Sequence, residues 1–143
     1  MQIVRSLAEL AAVLEQHADH ELYVRWSQDI ELDERTGTSR DELTGIELPG
    51  LSVNSLHVEP WWDGRPLTAW LARRLYDYRH LEHKRGPDTR PWVVTGAECG
   101  RGPDNEPLIG DCTAVAEVGM EVIAQAQREV DQLGGDWGTL DRT

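Results

Sequence analysis

The sequence predicts a single-domain α+β fold, a mixed and mostly antiparallel sheet flanked by three main helices. Apolar residues recur at helical spacing in three separate stretches, residues 6–18, 66–85 and 122–133. Between them lie period-two alternation and short apolar runs bounded by Gly and Pro, the pattern of strands and turns. At 143 residues one core closes without a disulfide or metal staple. No repeat or Pro/Ser-rich linker divides the chain. The domain is expected over residues 1–134, with 135–143 as a flexible tail.

The first helix opens on a capping box, Ser6 with Glu9 three residues later, and carries Leu7, Leu10, Ala11, Leu14 and Ala18 on one stripe. In the strand that follows, Leu22, Val24 and Trp26 face one way and Tyr23, Arg25 and Ser27 the other. Arg25 therefore opposes the apolar face of its own strand. Residues 28–40 read as a polar loop, and Ser39 with Glu42 marks a second capping box before a helical turn ended by Gly45. Pro49-Gly50 predicts a tight turn. Leu51 and Val53 then alternate with Ser52 and Asn54 until the phase slips to Leu56 and Val58, which predicts a bulge or bend near Asn54 and Ser55.

Pro66 suits the first turn of the longest expected helix, whose stripe is Leu67, Trp70, Leu71, Leu75, Tyr78 and Leu81 and whose end falls near Gly86-Pro87. Residues 92–98 predict a strand, 100–107 an irregular Gly/Pro-rich loop, and 108–118 one or two further strand segments. The last helix carries Val122, Ile123, Ala126, Val130 and Leu133 and stops at Gly134.

A formal charge of -12 repels phosphate backbones and anionic lipid, so neither nucleic acid nor membrane is expected as a partner. Arg73, Arg74, Arg79, Lys84, Arg85 and Arg90 are a local exception that leaves room for a small-anion site. The N-terminus lacks a basic region followed by an apolar run, and no window offers a membrane-spanning stretch; the reading is a cytoplasmic protein. Cys99 and Cys112 are most simply reduced thiols, with a hairpin-spanning disulfide as the alternative.

Several groups could carry chemistry. Asp77, His80 and His83 have helical spacing suited to metal ligands, yet Arg79, Lys84 and Arg85 would repel a cation, and a solvated helix face explains them; no metal site is assigned. Cys99 needs a histidine from elsewhere to act as a nucleophile and otherwise reads as a structural thiol. Trp61 and Trp62 could wall a ligand site or plug the end of the sheet. Residues 101–107, Arg-Gly-Pro-Asp-Asn-Glu-Pro, present Asp104 and Glu106 on a Gly/Pro-rich loop, either a functional loop or a rigid connection whose side chains satisfy their own backbone.

Residues 39–56 (SRDELTGIELPGLSVNSL), 72–81 (ARRLYDYRHL) and 100–109 (GRGPDNEPLI) resemble an uncharacterised family of small actinobacterial proteins, a domain of unknown function. More distantly, the order of Arg25, Ser52 and Glu106 resembles the ADP-ribosyltransferase-like fold, whose members present an Arg or His, a Ser-containing strand and a Glu after a loop. That resemblance implies Glu106 and Ser52 as catalytic residues and Arg25, Asp104 and Tyr23 as contacts for NAD, which would be a substrate. Glu106 would hold a ribose hydroxyl and stabilise an oxocarbenium-like state, Ser52 would orient Glu106, and Arg25 would bind a phosphate or ribose. Ser52 is not in a Ser-Thr-Ser run, and Tyr-Val-Arg-Trp replaces the family's tight Arg-Gly. Two readings of function follow: an NAD-using or NAD-binding domain that takes a small anionic ligand, or a noncatalytic module whose partner is another protein.

Overall fold

The computed structural model describes residues 1–40, 44–59, 62, 65–79, 81, 88–103 and 105–133. Eight strands and four helices follow one another among them. These are β1 (Gln2–Val4), α1 (Leu7–Gln16), β2 (Tyr23–Ser27), α2 (Ile30–Thr36), β3 (Ser39–Arg40), β4 (Glu47–Leu48), β5 (Leu51–Ser52), β6 (Asn54–Ser55), α3 (Leu67–Tyr78), β7 (Arg90–Arg101), β8 (Pro107–Val118) and α4 (Met120–Leu133). The α+β expectation holds, with a mixed and mostly antiparallel six-stranded sheet and, beside it, the two-stranded antiparallel pair β3–β4. None of the described helices is long and apolar enough to cross a membrane.

The six-stranded sheet runs β1-β8-β7-β2-β6, with β5 on β8. Only the β1–β8 pairing among these is parallel. Its spine is the β7–β8 hairpin, two 12-residue strands whose register shifts at three places. Such bulges bend and twist a ribbon. At one of them Gly96 is obligatory, since a Cβ there would stand 2.7 Å from the Gly110 carbonyl oxygen.

The bend predicted at Asn54 and Ser55 is a change of partner. Leu51 and Ser52 pair with Ile109 and Leu108 of β8, and Ser55 and Asn54 pair with Tyr23 and Val24 of β2. Only Val53 separates the two strands, so one short stretch links opposite ends of the series β2-β7-β8 and curls the sheet back on itself. The side chains enclosed by that curl, Tyr23, Leu51, Val53, Val94, Ile109 and Cys112, form a second core with Ile30 of α2. The larger core lies on the other face. There Leu22, Val24, Trp26, Val93, Ala116 and Val118 meet the stripes of α1, α3 and α4.

Helix α1 has the predicted cap, Glu9 N–H donating to Ser6 Oγ at 3.1 Å, while the Glu9 carboxylate accepts from Arg5 N–H rather than from Ser6. In α3, Trp70, Leu71 and Leu75 are buried and the Trp70 indole donates to the Leu56 carbonyl at 3.0 Å. Pro66 is the N-cap of that helix, and at 12 residues it is shorter than α4, at 14.

The structure revises three expectations. Residues 28–40 hold α2, begun by the Asp29 side chain and ended by left-handed Gly37 (φ 64). Ser39 is in a strand, where its Oγ donates to Gly50 O and accepts from Ser52 N–H; the helical turn expected after it, with Glu42, falls on residues outside those described. Val58 is 43% exposed, because the chain has already left the sheet. The structure also adds an element, since Gln2–Val4, to which the sequence reading assigns none, is a strand held by β8.

Candidate functional site

Strand alternation puts Tyr23 and Arg25 on the curled face of β2, where Arg25 stands opposite Trp92 of β7 and Tyr23 opposite Val94. Trp92 packs against the second core, so both aromatic side chains adjoin Arg25 on this face. Arg25 itself is 7% exposed. Its burial requires partners, because an isolated guanidinium in a dry interior is costly.

The geometry of β5 supplies one partner. The Val53 N–H donates to the Pro107 carbonyl of the hairpin at 3.1 Å, so the Ser52 backbone groups point the other way, off the edge of β8. Side chains satisfy both: Ser52 N–H donates to Ser39 Oγ at 3.2 Å, and Ser52 O accepts from Arg25 Nη1 at 2.8 Å. Ser39 Oγ in turn donates to Gly50 O at 2.9 Å. The other partner is Asp33 of α2, whose Oδ2 lies 3.0 Å from Arg25 Nε. Sequence reasoning missed Asp33 and Ser39, although Asp29 and Gly37, spaced as a helix cap and a left-handed stop, were a signal for the helix that carries Asp33.

The Ser52 side chain points to the hairpin turn and donates to Glu106 Oε2 at 3.0 Å. That turn is built by its own backbone. Gly102 N–H donates to Glu106 O at 2.8 Å, Asn105 N–H donates to Gly102 O at 2.9 Å, and Asn105 takes a left-handed conformation (φ 61). Arg101 pairs with Glu98 at 2.9 Å and donates to the Asn105 carbonyl at 3.2 Å. A Cβ on Gly102 would collide with the Glu106 carboxylate, so the missing side chain is what lets Glu106 fold back over the turn.

Arg25, Ser52 and Glu106 are thus joined by a continuous hydrogen-bonded chain that begins at Asp33. Asp104 lies outside the described residues. Tyr23 is 2% exposed, and burial together with the Glu21 carboxylate, to which it is hydrogen-bonded, pushes its phenol up to about 12. Glu98 adds to that rise and Arg101 opposes it. The Cys112 thiol, buried beneath α2, is pushed up to about 11 by desolvation and then by Glu34 and Asp33, with Arg25 opposing. It is an uncharged thiol at neutral pH. Around Tyr23 and Cys112 the carboxylates of Glu21, Glu98, Glu34 and Asp33 are thus opposed by Arg101 and Arg25, an acidic setting that favours ligand hydroxyls and cationic groups.

The other candidates are placed more simply. Trp62 is a core residue, edge-on to Trp70 with ring centroids 5.2 Å apart, and its indole donates to Arg65 O; Trp61 lies outside the described residues. Cys99 is an exposed free thiol. His80 and His83 are outside the described residues, and among those described no group of three His, Cys, Asp or Glu could hold a metal ion.

Residues 1–138 match a family of unknown function (DUF6098). No curated protein and no solved structure matches the chain.

Proposed function

Because the chain belongs to that family of unknown function, we propose its role from the chemistry of the curled face: a small cytoplasmic protein that binds a ribosyl nucleotide of the NAD type. The Glu106 carboxylate would act on the nicotinamide ribose, in the manner of the ADP-ribosyltransferase-like fold. The observation that carries this reading is the 3.0 Å bond from Ser52 Oγ to Glu106 Oε2, which turns a loop carboxylate into an oriented one. In glycosidic cleavage the bond to nicotinamide breaks, its electron pair leaves with the base, and an oxocarbenium-like charge develops on the ribose. A carboxylate held in place before the reaction stabilises that charge without reorganisation. Water, or the hydroxyl or amine of an acceptor, then adds at the same carbon and gives up its proton.

Arg25 takes a positioning role in this reading, holding the Ser52 carbonyl through Nη1 while its Nε is committed to Asp33. Trp92 would supply aromatic surface to the base, whereas Tyr23 is buried in the second core and offers it none.

Calorimetry with NAD and ADP-ribose, followed by a nicotinamide-release assay, tests the reading. Glu106→Gln should bind within about threefold of the parent and release nicotinamide at least about a hundredfold more slowly, since the lost charge matters in the transition state. No heat and no release with the parent protein would remove the NAD reading. A noncatalytic interaction module would then stand, favoured by the exposed apolar side chains Ile3, Leu32, Ile46 and Val58.

A further inference from the structure

The proposed ligand carries phosphates, but the buried cation that Ser52 links to the oriented carboxylate already has a counter-anion. Arg25 is the one buried charged residue among those described, and its Nε faces Asp33 Oδ2 at 3.0 Å with both side chains shielded from water. Asp33 belongs to α2, seven residues long, which is too short to persist on its own. The only buried residue of α2 is Ile30, whereas Leu32 is 45% exposed. One apolar anchor and one ion pair therefore hold this helix over β8, and segments with so few buried contacts open at a lower cost than the sheet beneath them.

We propose that α2 is a latch: Asp33 serves as an internal counter-anion for Arg25, and a phosphate group that takes its place on Arg25 releases α2 and opens the site beside Ser52 and Glu106. The proposal rests on the nucleotide-binding reading of the same site. A guanidinium accepts carboxylate and phosphate through the same planar donors, so exchange of one for the other leaves no charge unpaired. Loss of Asp33 without replacement would leave Arg25 buried and uncompensated, which is why the closed state is the resting one. The hydrogen bond from Arg25 Nη1 to Ser52 O does not involve Asp33 and can persist through the exchange.

Cys112 makes the motion measurable. It is 6% exposed and packs in the same core as Ile30, so a thiol reagent reaches it only when α2 lifts or the whole chain unfolds. With the exposed Cys99 replaced by Ser, the labelling rate of Cys112 reports these openings, and urea unfolding of each variant gives the share due to global unfolding.

Asp33→Asn should raise the labelling rate at least about tenfold above that share. Inorganic pyrophosphate should accelerate labelling of the Cys99→Ser parent in a saturable way, and should do so much less in Asp33→Asn, where the latch is already open. Labelling of Asp33→Asn no faster than global unfolding allows would overturn the latch. So would acceleration by pyrophosphate no greater than by sodium chloride of equal ionic strength. Neither readout involves the glycosidic bond. A labelling response without nicotinamide release leaves the latch and removes the catalytic reading, and release without a labelling response removes the latch alone.

Discussion

The Ser52 hydroxyl donates at 3.0 Å to the carboxylate of Glu106, 54 positions further along the chain, tying the edge of the curled sheet to the tip of its longest hairpin. The bond joins a residue whose backbone is held by Ser39 and Arg25 to one whose position depends on a glycine.

Because that bond is partly buried and has a charged acceptor, Ser52→Ala should destabilise the protein by about 1–2 kcal/mol, and Glu106→Ala by a similar amount. The double variant should lose no more than the larger single loss plus a few tenths. Urea unfolding of the four proteins measures this coupling, and strict additivity would show that the hydroxyl and the carboxylate do not interact.

Leu71 has no exposed surface and lies in the main core with Trp70, Leu75 and Leu56. Leu71→Ala should cost about 2–5 kcal/mol. An unchanged urea midpoint would require α3 to be assigned differently.

Two hairpin glycines should respond in opposite ways. A Cβ on Gly96 meets the Gly110 carbonyl at 2.7 Å and Ile109 side-chain atoms at 2.8 and 3.0 Å, whereas a Cβ on Gly100 meets nothing nearer than Leu108 Cδ1 at 3.9 Å. Gly96→Ala should destabilise by about 1–3 kcal/mol, and Gly100→Ala should change stability by less than about 0.5 kcal/mol or raise it slightly. Thermal melts of the pair decide the matter.

Stability should fall on the alkaline side. The Cys112 thiol is raised from 9.0 to about 11 and the Tyr23 phenol from 10.0 to about 12. Below the lower of each pair of values both states keep the proton and the contribution is intact. Between them the unfolded chain releases a proton that the folded chain retains, so the folded state loses stability as pH rises through that window. Urea midpoints should decline from about pH 9 upward, and Tyr23→Phe with Cys112→Ala should flatten the decline. A midpoint independent of pH across that range would contradict the burial of both groups.

Local signals made much of the fold legible. The alternation in residues 22–27 separates Val24 and Trp26 from Arg25 correctly, because a strand buried on both faces still sends successive side chains to different cores. The Ser6–Glu9 spacing and the stripe through Trp70, Leu71 and Leu75 were equally readable, since helix caps and helix faces are set by neighbours three and four residues away. What stayed hidden depends on distant partners. Gln2–Val4 is too short to read as a strand without β8 beside it, and the phase slip after Val53 looked like a bulge because nothing local reveals that β5 and β6 have different neighbours. In the candidate site, Arg25, Ser52 and Glu106 were visible as polar residues in suggestive positions. Asp33 was not, because a carboxylate in a polar stretch gains meaning only when the buried charge it neutralises is known.

The stretch from Leu51 to Ser55 engages two ladders at once, with Val53, 1% exposed, as the residue at which it passes from one to the other. A substitution there would trouble one neighbour. A single inserted or deleted residue would break the spacing between the ladders, and in one of them every side chain would turn from the interior to the outside. Relatives that share this architecture should therefore vary in what occupies these five positions and hold the count unchanged, while tolerating gaps in the segments before β3 and after β6.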